Sequence, residues 1–259
     1  MKELQATCRV IAKCLALAMM VVLVVPLQRL VLAVTRGPAS LMLPGLFHRM
    51  MCRVLGLHLE VHGQCAARSQ VLYIGNHLSY LDVPLLGGRL PACFIAKDDI
   101  RAWPVFGALS RLQQTVFIPR DARRAADAAA LLQQALASGH HLILFPEGTT
   151  SNGAAVLPFK SSLFAVLLDP SMGQVALQPM TLELLSVDGR AITDDAQRDC
   201  YAYHGDMHLK PHLLGFMRLS GARLRLQLHA CLPPTGPGTS RKILATMARE
   251  SVAGPLAEA

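Results

Sequence analysis

The sequence predicts an α/β fold: a mostly parallel central sheet flanked by helices, preceded by an N-terminal apolar helical membrane segment. Three observations predict it. Short apolar runs closed by glycine or proline alternate with helical stretches. A strict alternation of leucine with polar residues near the C-terminus marks a half-exposed strand. Two long apolar stretches with basic flanks occupy residues 1–55. The 259 residues suit one α/β domain with an appended segment, or two small domains, and can bury a sizeable core. The division expected is a helical segment at 1–55 and a second unit at 56–259.

From Cys14 to Leu27 every residue is apolar, counting Pro26. Gln28 and Arg29 interrupt, and Leu30 to Val34 resumes the run. Fourteen helical residues rise ~21 Å, short of a ~30 Å hydrocarbon core. Extension back to Val10 brings in Lys13, which could snorkel to the headgroups. A second stretch after Pro38 places Leu43, Phe47, Met50 and Val54 at helical spacing. Residues 1–70 carry Lys2, Arg9, Lys13, Arg29, Arg36, Arg49, Arg53 and Arg68 against Glu3 and Glu60. Both flanks of the first run are basic, so charge gives no crossing direction. The region reads as a helical hairpin dipping into one leaflet. A true span, a signal peptide cleaved near Val31-Leu32-Ala33 and a buried soluble helix are the alternatives.

The remainder supplies the sheet. Val71 to Ile74 ends at Gly75 and reads as a buried strand. Ala92 to Ala96 and Val116 to Ile118 follow as strands. Asp121 can cap a helix over Ala122 to Ser138, stopped by Gly139. His141 to Phe145 returns as a strand closed by Pro146, and Val175 to Leu182 is another. From Arg223 to His229, Leu224, Leu226 and Leu228 share one face. Pro233 to Gly238 is a linker, and Ser240 to Ala253 a terminal helix.

Composition narrows the function. Apolar residues make 52% of the chain and charged residues 16%, against a usual ~25% charged; that argues against disorder and for contact with lipid. The formal charge of +8 suits anionic partners in general. Aromatics are 5% and never interleave with basic residues, so no nucleic-acid partner is expected. The seven cysteines are scattered and never spaced C-x-x-C, which points to reduced thiols rather than disulfides or zinc.

Two strand exits carry the chemistry. After the first strand comes Asn76-His77-Leu78-Ser79-Tyr80-Leu81-Asp82. If the chain turns into a helix here, Asp82 can accept from one nitrogen of His77. That fixes the tautomer and leaves the other nitrogen to take a proton from a bound alcohol. Alone, the pair also fits a satisfied loop histidine beside a helix cap. The second exit is Phe145-Pro146-Glu147-Gly148-Thr149-Thr150-Ser151. Pro146 bends the chain out of the sheet, and Gly148 allows close backbone approach to a ligand. Amides and hydroxyls there can bond a headgroup or oxyanion, and Glu147 could grip hydroxyls. An ordinary turn reads as well.

Together, N-H-L-S-Y-L-D and F-P-E-G-T-T-S resemble the glycerolipid acyltransferase family that includes 1-acylglycerol-3-phosphate acyltransferases. The resemblance spans roughly Leu55 to Pro234. It implies His77 as base and Asp82 as its orienter. Phe117-Ile118-Pro119-Arg120 matches an intermediate motif whose arginine binds acceptor phosphate, so Arg120 inherits that role. Glu147, Gly148 and Thr149 are implied substrate contacts. Gln178-Pro179-Met180 looks like a proline-centred strand motif. Lys97 and Lys160 stand where relatives carry basic residues. The resemblance implies transfer of an acyl group from an acyl carrier protein or coenzyme A thioester to a lysolipid hydroxyl. No cofactor or metal is implied. The expected place is the inner membrane, with the acyltransferase domain at 56–259 on the cytoplasmic side.

One departure bears on the acceptor. Phosphatidate-forming members commonly read F-P-E-G-T-R-S, and this chain has Thr150 at the arginine. Tyr201-Ala202-Tyr203-His204-Gly205-Asp206-Met207, with Pro211-His212, looks like a branch that includes lyso-ornithine lipid acyltransferases. Lysophosphatidate and lyso-ornithine lipid both remain candidate acceptors, and structural roles for His204 and His212 compete with functional ones. A serine hydrolase would need G-x-S-x-G, which is absent. A membrane-surface binding protein with a degenerate site is the non-enzymatic alternative.

Overall fold

A computed structural model describes residues 2–35, 37–67, 70–119, 125–168, 175–233 and 238–257. Its centre is an eight-stranded sheet. The strands are β1 (Leu57–His62), β2 (Val71–Gly75), β3 (Ala92–Lys97), β4 (Val116–Ile118), β5 (His141–Leu144), β6 (Ala176–Val187), β7 (Arg190–Ala191) and β8 (Ala222–Leu228). They run in the order β1-β8-β6-β2-β5-β3-β4, with β7 paired to β6. Every pair from β6 through β2, β5 and β3 to β4 is parallel. The β6–β8 pair is antiparallel. The mostly parallel sheet is as the sequence predicts.

Both faces of the parallel part are covered, which explains its continuous apolar runs. In β2, Val71 and Tyr73 point into one core and Leu72 and Ile74 into the other. The first core packs on α2 (Met42–Leu55), α3 (Asp82–Arg89) and α7 (Leu209–Arg218). The second packs on α5 (Ala125–Ala137), a 3₁₀ turn at Ser161–Leu168 and α8 (Arg241–Ala257). In β8, Leu224, Leu226 and Leu228 are buried while Arg223 is exposed, as the alternation requires.

Some elements depart from expectation. β6 runs on past Leu182 to Val187. β1, beside β8, is an additional strand in which Leu57, Leu59 and Val61 turn to the core and His58, Glu60 and His62 turn away. The helix α7 contains Pro211 and Gly215, both helix breakers by composition. Pro211 lies in the first turn, where a backbone N–H has no helical partner to lose. The proposed cap Asp121 lies outside the described residues.

The N-terminal region is one helix, α1 (Lys2–Val34), of 33 residues. It runs straight through Pro26 and the Gln28-Arg29 interruption and rises ~50 Å. Glu3–Val34 is long and apolar enough to cross a membrane, by length and composition alone. In this structure α1 lies along the domain. Lys13 does not snorkel outward: its Nζ is buried and donates to the carbonyls of Leu55 at 3.1 Å and Leu219 at 2.9 Å. Gln28, also buried, donates through Nε2 to the carbonyls of Ser40 and of Leu112, the last residue of α4 (Phe106–Leu112), each at 3.0 Å. These two tethers sit ~22 Å apart along the helix. Between them Leu17 and Met20 face the protein, while Leu15, Met19, Val22 and Leu23 face outward and exposed.

Candidate active site

The loops leaving the carboxyl ends of β2, β3 and β5 meet on one edge of the sheet, where parallel α/β folds gather their chemistry. Hydrogen bonds between them fix the arrangement. At the end of β2, buried Asn76 donates through Nδ2 to the Leu182 carbonyl and accepts the Leu182 amide at Oδ1, both at 2.8 Å. This side chain anchors the loop to β6 where the backbone ladder stops.

The next six residues fold tightly into α3. The Asp82 amide donates to the Ser79 carbonyl at 3.0 Å. Asp82 has no exposed side-chain surface, and 19% of the His77 side chain remains open. Asp82 Oδ2 accepts the amides of Leu78 and Ser79 at 2.8 and 3.0 Å and lies 2.7 Å from His77 Nδ1. A carboxylate so placed can only accept, so Nδ1 carries the proton and Nε2 keeps its lone pair. Phe145 stacks on the imidazole, with ring centres 4.0 Å apart and planes 4° from parallel. The ring is thus held in its plane by Phe145 and in its rotation by Asp82.

Phe145 also begins the second loop. Its neighbour Glu147 is buried and turns inward, with Oε1 accepting the His77 amide at 3.2 Å. The Ser151 amide returns to the His77 carbonyl at 2.9 Å. The two motifs are therefore stitched backbone to side chain and backbone to backbone. Burial pushes the Glu147 carboxyl up to about 7, the Asp82 charge adds to this, and the His77 and Leu157 amides oppose it.

Gly148 has φ of +67°, a left-handed conformation that favours glycine. Lys97 Nζ donates to its carbonyl at 2.6 Å. A Cβ on Gly148 would lie 2.6 Å from Lys160 Nζ. Both lysines therefore converge on this turn. Thr149 is exposed and Thr150 half-buried. Arg120 lies outside the described residues.

The two later histidines serve other partners. His204 Nε2 pairs with Asp199 Oδ1 at 2.9 Å. His212 Nε2 faces the carbonyls of Asp199 and Ala202 at 3.2 and 3.0 Å, so it carries the proton. Its Nδ1 then accepts from the Tyr80 hydroxyl at 2.9 Å. Burial lowers the His212 pKa below the usual histidine value.

Three contributors had no assigned role from sequence: Asn76, Phe145 and Tyr201. All three stand inside quoted segments, so their position was a signal, but only for Asn76 and Phe145 does the segment adjoin His77 or Glu147. Tyr201 stands 119 residues from Asp82, yet its hydroxyl donates to Asp82 Oδ1 at 2.8 Å. No local pattern announces such a contact.

Comparison with known proteins finds similarity to acyltransferases. A family model described as Acyltransferase matches residues 58–183. The chain is 38% identical over 215 residues to the lyso-ornithine lipid O-acyltransferase of Rhizobium meliloti (strain 1021), covering 80% of this chain and 73% of that one. It is 34% identical to the Pseudomonas aeruginosa protein of the same name, over 78% of this chain and 73% of that one. To the 1-acyl-sn-glycerol-3-phosphate acyltransferase of Neisseria meningitidis serogroup B it is 28% identical, over 73% and 70%. The crystal structure of the 1-acyl-sn-glycerophosphate acyltransferase of Thermotoga maritima shares the fold, with a TM-score of 0.68 at 20% identity over 100% of this chain and 97% of that one.

Glu147 makes the site pH-sensitive in stability. Its carboxyl titrates at about 7 when folded against an ordinary 4.5. Between those values the folded state keeps a proton that the unfolded state has lost, so stability falls as pH rises through that window. Glu147→Gln keeps an acceptor for the His77 amide and cannot ionise. Its melting temperature should climb relative to wild type between about pH 5 and pH 8, by an amount equivalent to roughly 2–3 kcal/mol at the upper end. Parallel Tm curves for the two proteins would contradict this account.

Proposed function

The chain belongs to the glycerolipid acyltransferase family and is an acyltransferase of the lysolipid type; from that premise we propose that its acceptor is lyso-ornithine lipid and that His77 and Asp82 supply the base. The observation that carries the acceptor is the gradient of similarity: relatives named for lyso-ornithine lipid resemble the chain more than the Neisseria relative named for 1-acylglycerol-3-phosphate.

Charge supports the same choice. A phosphate monoester carries nearly two negative charges and favours several cations. At position 150 this chain offers a hydroxyl. A headgroup bearing both an amine and a carboxylate requires less positive charge. The Lys97 and Lys160 ammonium groups about Gly148 suit its carboxylate. Thr149 and the Gly148 turn provide polar contacts beside them, and Arg120 is the remaining cation implied by the motif.

The ring's geometry supports the following reaction. An acceptor hydroxyl at His77 Nε2 gives up its proton as its oxygen attacks the thioester carbonyl of an acyl carrier protein or coenzyme A donor. Asp82 holds the imidazolium that forms. Collapse of the tetrahedral intermediate breaks the carbon–sulfur bond, and the proton passes from Nε2 to the departing thiol. No covalent acyl-enzyme is required.

The acceptor is a lipid, and α1 provides the means to reach it. A surface helix of a soluble protein turns a polar face outward; α1 turns Leu15, Met19, Val22 and Leu23 outward. With Lys13 and Gln28 tethered to the domain, the helix is placed to lie in the headgroup region of one leaflet rather than across the bilayer. Exposed Arg9, Arg29, Arg49 and Arg53 would meet anionic lipid. We place the domain on the cytoplasmic side of the inner membrane, where acyl thioesters are available.

Three outcomes test this reading. His77→Ala should lower turnover ~10²–10⁴-fold with little change in Tm; near-normal turnover on every lysolipid would rule out the base. Wild type should prefer lyso-ornithine lipid over lysophosphatidate, and Thr150→Arg should move the ratio toward lysophosphatidate. An unchanged ratio would mean that position 150 does not face the headgroup. Finally, the protein should float with vesicles containing anionic phospholipid, and Leu15→Glu combined with Leu23→Glu should abolish flotation. Digestion of a C-terminal tag by protease added to intact spheroplasts would locate the domain outside the cytoplasm and overturn that placement.

A further inference from the structure

Asp82 has two oxygens and only one is held locally. Oδ2 takes His77 Nδ1 and the amides of Leu78 and Ser79, all within five residues. Oδ1 is taken from across the sequence by the hydroxyl of Tyr201, at 2.8 Å. A carboxylate held at one oxygen can swing about it. Held at both, its plane is set, and with it the direction in which Oδ2 meets the imidazole.

Tyr201 is itself well fixed. It has no exposed surface and follows α6 (Asp195–Arg198), where its amide donates to the Arg198 carbonyl at 2.9 Å. Its ring meets Phe216 of α7 edge-on, with centres 6.0 Å apart. The residues around it are pinned twice more. His212 holds the carbonyls of Asp199 and Ala202. The Tyr203 amide donates to the carbonyl of Leu78, next to the catalytic histidine, at 2.9 Å. Burial first, and the Asp82 charge second, push the phenol well above its ordinary range, so it stays a donor.

We propose that Tyr201 is a positioning residue of the acyl-transfer reaction, its hydroxyl fixing the Asp82 carboxylate so that Oδ2 faces His77 Nδ1. The inference rests on the reading of His77 and Asp82 as the base. Tyr201 never meets substrate. Its effect therefore falls on the chemical step, because the base is misaligned while the acceptor and donor sites remain intact. Segment 199–204 thus joins the α6–α7 region to the reacting end of the sheet.

The test is Tyr201→Phe, which keeps the ring on Phe216 and removes one oxygen. The kcat should fall roughly 10–100-fold, as expected for a lost hydrogen bond to a charged group, with both KM values within about twofold. In protein labelled with ¹⁵N-histidine, the His77 ring resonances, identified by their loss in His77→Ala, should shift in Tyr201→Phe. A residue that only fills space would lower Tm and leave those resonances in place. A double-mutant cycle supplies the second readout. If Tyr201 acts through Asp82, adding Tyr201→Phe to Asp82→Asn should lower kcat no further than Asp82→Asn alone. That double variant also decides the matter if Tyr201→Phe by itself does not fold. Unmoved His77 resonances, an unchanged kcat in Tyr201→Phe, or additive losses in the cycle would each overturn the proposal. Retained turnover in His77→Ala would instead remove the base, and the resonance shift would still report whether Tyr201 sets the pair.

Discussion

A carboxylate with no exposed surface must find hydrogen-bond donors for both oxygens or carry the desolvation cost unmet. At Asp82 that requirement draws on three parts of the fold at once. The loop after β2 contributes the Leu78 and Ser79 amides and the His77 ring. The turn after α6 contributes the Tyr201 hydroxyl. The first turn of α3 supplies the residue itself, where a negative charge also meets the positive end of the helix dipole. Few placements satisfy all of these together. The tightness of the loop between His77 and Asp82, the register of β2 against β6 through Asn76, and the docking of segment 199–204 are consequences of meeting that demand.

The second loop is subject to a related constraint. Glu147 is buried beside Asp82, two carboxyl groups in one low-dielectric region, and the second carboxyl responds by titrating near 7. Near neutral pH Glu147 is therefore divided between its charged and neutral forms. Either form can accept the His77 amide, so the junction between the two loops survives the change. The cost of the charged form appears in stability. Sites that need defined polar geometry commonly carry such local destabilisation. Here it can be traced to one side chain whose burial exceeds what its two amide donors offset.

Much of this architecture was legible in the sequence, and the gaps have physical reasons. The parallel strands were legible because burial on both faces forces continuous apolar runs, and the turns after them because glycine and proline break the pattern. The pairing of His77 with Asp82 was legible because it is local, made within one turn of chain. The exchange between Asn76 and Leu182, the stacking of Phe145 on His77 and the bond from Tyr201 to Asp82 were not. They depend on which strands lie side by side, and composition and periodicity do not report strand order. β1 was not among the expected strands, although its Leu57, Leu59 and Val61 alternate with His58, Glu60 and His62 and turn the apolar side to the core. The helix α7 escaped notice because Pro211 and Gly215 imitate a loop unless the first-turn position of the proline is known.

The N-terminal helix shows a different limit of sequence reading. Periodicity identifies a helix by the contrast between an apolar and a polar face, and α1 has almost none over residues 14–27. Such uniformity ordinarily points to a membrane span. The structure separates its two apolar faces by partner. One packs on the protein, secured at Lys13 and Gln28 by bonds to backbone carbonyls that a lipid environment could not provide. The other packs on nothing among the described residues and needs an apolar surface to cover it. Lys13, expected to snorkel, and Gln28, expected to interrupt the apolar run, are the residues that fix its orientation. Withdrawing the helix to span a bilayer would strand both side chains in hydrocarbon and leave the domain carbonyls they satisfy without these donors. That cost favours a helix which stays on its domain and brings the whole domain, site included, against the lipid surface.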